Sequence, residues 1–145
     1  MIVTKEWGYE EYLADQETYT GKRLHIKLNK MSSIHCHLSK TETFVCESGL
    51  IHVVTYFVQE HNDMLHLEAN PTLLTPSQAI TINPETWHSF YCGTSGSLLE
   101  FSDKHRDEDV FRLKESQSID YPPNLDAVIK TKDTDWGRFK TLLSI

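Results

Sequence analysis

The sequence predicts an all-β sandwich or barrel that ends in a short helical segment. Three observations predict it. Runs rich in Val, Ile, Phe, Tyr and Thr recur between Lys22 and Ser102, the longest being LIHVVTYFV at residues 50–58. Gly, Pro, Asn and Ser turns separate them at regular intervals. Helical spacing of apolar residues emerges only near the C-terminus, in DTDWGRFKTLL at residues 133–143, where Trp136, Phe139, Leu142 and Leu143 share a face.

The elements follow in order. Residues 1–19 are acidic and aromatic with no helical stripe, and read as an extended arm or short strand that packs Trp7, Tyr9 and Tyr12 on the body. Residues 22–27, KRLHIK, alternate, with Leu24 and Ile26 on one face and His25 on the other as a surface histidine. Residues 30–37 form the next strand and residues 42–47 another, with Ser48 and Gly49 as its turn. Residues 50–58 and 64–68 make a hairpin around the polar turn QEHND, with His52, His61 and His66 exposed. Asn70-Pro71 and Thr75-Pro76-Ser77 read as turns, residues 79–82 as a short strand, and residues 83–86 as a turn at Pro84. Residues 87–92 carry His88, GTSG at 93–96 is a flexible turn, and SLLEFS at 97–102 is a strand. The charged run DKHRDED at 103–109 reads as a solvated loop, and Pro122-Pro123 breaks the chain again. The terminal helix covers an open end or edge of the sheet, or a subunit interface.

At 145 residues, 39% hydrophobic and 24% charged, the composition suits one globular domain: a core at about 20–112, the arm at 1–19 and an extension at 113–145. The formal net charge of -7 argues against nucleic-acid binding, which needs a basic surface. No apolar run reaches transmembrane length and the N-terminus has no signal-peptide pattern, so no membrane partner and a cytoplasmic location are expected. Cys36, Cys46 and Cys92 form no CxxC pair and read as reduced, small packing residues, two of them within reach of the metal-type cluster described next.

That cluster is SIHCHLSKTETFVCESG at residues 33–49. On a strand, His35 and His37 project from one face and Ile34 and Cys36 from the other. Glu42 follows after a short break. A strand histidine pair alone is also a common surface feature. Two imidazoles and a carboxylate together suit a divalent zinc, manganese, iron or nickel ion.

The spacing H-x-H-x4-E-x6-G resembles the first motif of the cupin superfamily, with Asn29 where that motif begins with glycine. TPSQAITINPETWHSFYC resembles the second motif, with Ser77, Asn83, Glu85 and Cys92 at its glycine, proline, glycine and asparagine positions. The resemblance implies a jelly-roll barrel, the double-stranded β-helix, and a metal set of His35, His37, Glu42 and His88. From about Trp7 to Arg112 the chain is similar to cupin-type mannose-6-phosphate isomerase domains, also found fused behind mannose-1-phosphate guanylyltransferases. H-x-H-x2-K-x-E also resembles the site of cupin-type D-lyxose isomerases, whose lysine corresponds to Lys40.

These resemblances imply a metal-dependent aldose–ketose isomerase for a small sugar or sugar phosphate, with Lys40 and Glu100 as candidate proton carriers. Glu100 interrupts the apolar run SLLEFS, and alternation places it either into the barrel or on its outside. Arg112 matches a family arginine and either binds a sugar phosphate or pairs with Asp107 or Asp109. Two alternatives share the pocket: a non-haem iron dioxygenase, and a non-catalytic carbohydrate-binding or regulatory cupin. Small cupins pair through their sheets, so a homodimer is expected.

Overall fold

The computed structural model describes residues 1–143. Two long strands organise it: β6 (Glu42–His61) and β9 (Trp87–Asp103), antiparallel along most of their length. The other strands are β1 (Ile2–Lys5), β2 (Gly8–Asp15), β3 (Tyr19–Ile26), β4 (Lys30–Met31), β5 (Ile34–His37), β7 (Met64–Leu74) and β8 (Ala79–Ile82). After β9 come β10 (Val110–Lys114), β11 (Gln117–Ser118), β12 (Ala127–Lys130) and the helix α1 (Trp136–Leu143). The main path through the curled sheet runs β1-β2-β3-β9-β6-β7-β12. β5 pairs with β9 and β10, and β8 pairs with β6, which gives the jelly-roll arrangement expected of a cupin.

Three expected turns lie inside strands. Ser48 and Gly49 belong to β6, and residues 93–96 belong to β9. Here the two strands bend together instead of stopping: the register shifts around Ser48 and Leu50, and Gly49 takes φ +80°. A Cβ on Gly96 would lie 2.0 Å from the Ser48 carbonyl oxygen, so the bend requires glycine. Asn70 and Pro71 also lie inside a strand, β7, where Pro71 pairs with Val54. The N-terminal arm is a true hairpin, β1–β2, laid on β3.

Alternation along β5, β6 and β9 sorts residues into two cores. Leu24, Phe44, Ile51, Val53, Phe90 and Leu98 fill the barrel with Trp7 of the hairpin turn. Ile34, Cys36, Val54, Tyr56, Trp87 and Phe111 form a second core behind it. The terminal helix seals that second core. Phe139 is buried, its ring 4.8 Å from that of Trp87 and 5.7 Å from that of Phe111. Arg138 donates to the Val110 carbonyl at 2.8 Å and stacks over Phe111. All three cysteines are free and buried. No helix among the described residues is long and apolar enough to cross a membrane.

Candidate metal centre

The two cores leave the opposite face of β5 to the barrel cavity. With Ile34 and Cys36 buried behind the sheet, His35 and His37 project inward. β9 brings His88 directly across the ladder from His35, with ring centroids 4.4 Å apart. Glu42, first residue of β6, completes the group. Nitrogen and oxygen atoms from His35, His37, Glu42 and His88 all lie within 4.8 Å of one another. His35, His37 and Glu42 line a cavity of about 250 Å³, and His88 is fully buried beside them.

The backbone fixes which nitrogens face the centre. Nδ1 of His35 donates to the Ser33 carbonyl at 2.9 Å, and Nδ1 of His88 to the Thr86 carbonyl at 2.8 Å. Each histidine therefore turns Nε2 inward, as metal-binding imidazoles held by an outer carbonyl do. Nε2 of His88 then stands 2.6 Å from Oε1 of Glu42, and neither atom has a hydrogen-bond partner with good geometry. A nitrogen lone pair against a carboxylate oxygen needs a cation between them, a proton or a metal ion. Nδ1 of His37 is also buried, with no hydrogen-bond partner among the described residues.

The electrostatics agree with a cation site. Burial, reinforced by the neighbouring His88 and His37 rings, holds His35 well below the ordinary histidine range. Burial pushes His37 down to about 4. Both rings are thus neutral near pH 7, as ligands should be. Burial opposes charge on Glu42, but His88, Lys40 and His37 outweigh it and keep the carboxylate ionised far below its usual range. The donor set, three imidazoles and one carboxylate, fits zinc, manganese, iron or nickel.

The loops around the centre keep the shape that their substitutions put in question. Asn29, Ser77 and Glu85 stand where the cupin motifs carry glycine, and all three adopt left-handed φ of 61°, 78° and 68°. The Glu85 amide closes the β8–β9 loop onto β5 by donating to the His37 carbonyl at 2.7 Å.

The other expected site residues also reach this cavity. Lys40 is 5% exposed, with Nζ 3.5 Å from Glu42 and 3.3 Å from Glu100. Glu100 points inward with Leu98 and Ser102, whereas Phe101 faces solvent. Its Oε2 accepts from the Ser102 hydroxyl at 3.1 Å. Arg112 lies at the mouth, across the ladder from His35. It forms no ion pair with Asp107 or Asp109. The Asp109 carboxylate instead accepts from the Leu38 and Ser39 amides.

Two sequence readings need correction. Residues 103–109 are more than a solvated loop, because His105 lines the cavity and bonds to Asp107 at 3.0 Å. His52 is half-buried, stacked on Tyr91 at 4.6 Å and bonded to Tyr121, whereas His61 and His66 are exposed. Sequence reading also passed over Glu10 and Lys22, both on the cavity wall. A signal for Lys22 was present, since alternation in KRLHIK puts it on the buried face with Leu24 and Ile26.

The chain has the cupin fold, and its barrel carries a candidate metal site. It is similar to the capsular polysaccharide assembling protein CapF of Staphylococcus aureus, at 14% identity and TM-score 0.66 over 79% of this chain and 31% of CapF. An RmlC-like cupin from Shewanella frigidimarina superposes with TM-score 0.58 at 17% identity, over 74% of this chain and 86% of that one. Oxalate decarboxylase from Bacillus subtilis gives 0.60 at 13% identity, over 78% and 30%. The chain thus spans about a third of CapF and of the decarboxylase. No protein-family model and no curated protein sequence matches it.

Proposed function

We propose that this chain is a metal-dependent cupin that interconverts the aldose and ketose forms of a small sugar or sugar phosphate. The observation that carries the reading is the buried Lys40, held between Glu42 and Glu100 on the cavity that His35, His37 and Glu42 also line. Holding an ion requires neither Lys40 nor Glu100. Moving a proton between adjacent carbons requires such groups.

His35, His37, Glu42 and His88 would hold the ion. When bound, it would polarise the sugar carbonyl and the neighbouring hydroxyl. Ser102 and Lys40 hold Oε2 of Glu100, and no hydrogen bond among the described residues engages Oε1. Oε1 is the atom that takes the proton from one carbon and returns it to the next, while the hydroxyl proton of the first carbon passes to the former carbonyl oxygen of the second. Lys40 faces the same space with an ammonium that stabilises the negative charge of the enediolate. Arg112, whose guanidinium has no ion-pair partner among the described residues, suits a phosphate on the far end of the sugar. The name of CapF, a capsular polysaccharide assembling protein, also supports a sugar ligand. The homodimer belongs to the same proposal and is read by sedimentation.

The test is a panel of aldoses and their phosphates, mannose 6-phosphate and lyxose included, with protein loaded in turn with zinc, manganese, iron and nickel. Ketose formation in deuterated water, with deuterium entering the carbon beside the carbonyl, is the expected result. Metal-loaded protein that forms no ketose and exchanges no deuterium overturns the reading. Oxygen uptake by the iron form would assign dioxygenase chemistry instead.

A further inference from the structure

The ligand set leaves one part of the cavity unexplained. Lys22 on β3 is 4% exposed and lies directly opposite Glu100 on β9. Its Nζ stands 3.2 Å from Oε2 of Glu10 and 4.8 Å from the centre of the Tyr12 ring. Glu10 is itself largely buried, and its other oxygen meets Lys5 at 3.5 Å. Charges therefore alternate across the cavity from the hairpin to the metal side: Lys5, Glu10, Lys22, Glu100, Lys40, Glu42.

An ammonium this deep in a barrel is expensive to desolvate. An apolar side chain beside Leu24 would avoid that cost. It could not hold the Glu10 carboxylate of β2 while presenting a positive charge to Glu100 across the ladder. β2 is laddered to β3 from Gly8 to Asp15 with a register shift between Tyr12 and Ala14, and β1 reaches the sheet through β2, so the Lys22–Glu10 pair adds to that ladder on the cavity side. The hairpin's apolar anchor, Trp7 edge-on to Phe90 at 4.8 Å, lies at the turn end.

We propose that Lys22 is a positioning residue that couples the hairpin to the site: it latches β1–β2 over the cavity through Glu10 and sets a positive charge across the β3–β9 ladder from Glu100. The hairpin is then a wall of the ligand cavity. Glu100's part in turnover rests on the isomerase reading, whereas the latch does not.

The test compares zinc-loaded wild type with Lys22→Met, Lys22→Arg and Glu10→Gln. Elemental analysis and thermal unfolding check each protein. Amide hydrogen exchange over residues 2–15 reads the latch, and steady-state isomerisation of mannose 6-phosphate reads Glu100. In Lys22→Met and Glu10→Gln, hairpin exchange is expected to speed up about tenfold or more, with β8 unchanged. In Lys22→Met, kcat is expected to fall about thirtyfold with KM within about threefold, and Lys22→Arg to restore most of it. A Lys22→Met protein that binds zinc and exchanges its hairpin at the wild-type rate overturns the inference. If Lys22→Met does not fold, hairpin exchange in Glu10→Gln decides it. If the wild type isomerises no sugar of the panel, the isomerase reading fails separately and exchange alone decides the latch.

Discussion

At the residue scale, the centre depends on groups whose neighbours leave them few other roles. Nε2 of His88 and Oε1 of Glu42 are brought together at 2.6 Å by backbone bonds that do not involve the ion. His35→Ala and His88→Ala should therefore fold but lose bound metal, from close to one ion per chain to below about a tenth, since outer-sphere changes alone already cost 10–100-fold in affinity. Elemental analysis after gel filtration checks this. Lys22 gives a test at high pH. Burial lowers its proton affinity, but Glu100 and Glu10 more than reverse that and raise its folded pKa above the ordinary lysine value of 10.5. The stability this contributes is present in full below 10.5 and is lost as pH rises through the folded value. Unfolding free energies measured by urea titration from pH 9 to 12 should fall more steeply for wild type than for Lys22→Met. Parallel curves would show that the charges around Lys22 do not stabilise the fold.

At the element scale, β6 and β9 each run through a bend where sequence reading placed a turn. Glycine usually signals a chain reversal, but here Gly49 and Gly96 let two paired strands pass within backbone contact. Gly96→Ala should destabilise the protein by about 3 kcal/mol, because the clash is with backbone that cannot rotate away. The reverse effect is expected at the β8–β9 loop. Glu85 is exposed and sits at φ 68°, a conformation that strains side chains, so Glu85→Gly should raise stability by about 1 kcal/mol. Denaturant midpoints measure both. The helix α1 contributes through one buried ring, and Phe139→Ala should cost about 3–5 kcal/mol.

At the scale of the whole molecule, the ion, where bound, links β5 and the start of β6 to the distant strand β9. Its ligands come from β5, from the start of β6 and from β9. A ligand that binds only the folded state adds about 2.7 kcal/mol at one hundred times its dissociation constant. Chelation should therefore lower Tm by about 5–10 °C, and re-addition of zinc or manganese should restore it. Scanning calorimetry at fixed free metal checks this. An unchanged Tm in all four metals would argue against any ion at this centre.

The sequence by itself determined the all-β class, the shared face of His35 and His37, Glu42 close after them, and the terminal helix. Each of these rests on local periodicity or on spacing within one motif, which a chain carries wherever it folds. The resemblance to the cupin motifs supplied His88. Only the tertiary structure decided that Glu100 points inward, that Arg112 forms no ion pair with Asp107 or Asp109, and that Glu10 and Lys22 complete the cavity wall. Those outcomes depend on which strand lies beside which. Lys22 faces Glu100 because β3 pairs with β9, and their separation in sequence says nothing of that contact. The bends at Gly49 and Gly96 were hidden for the same reason. A glycine demanded by a neighbouring strand looks, in the sequence, the same as one demanded by a turn.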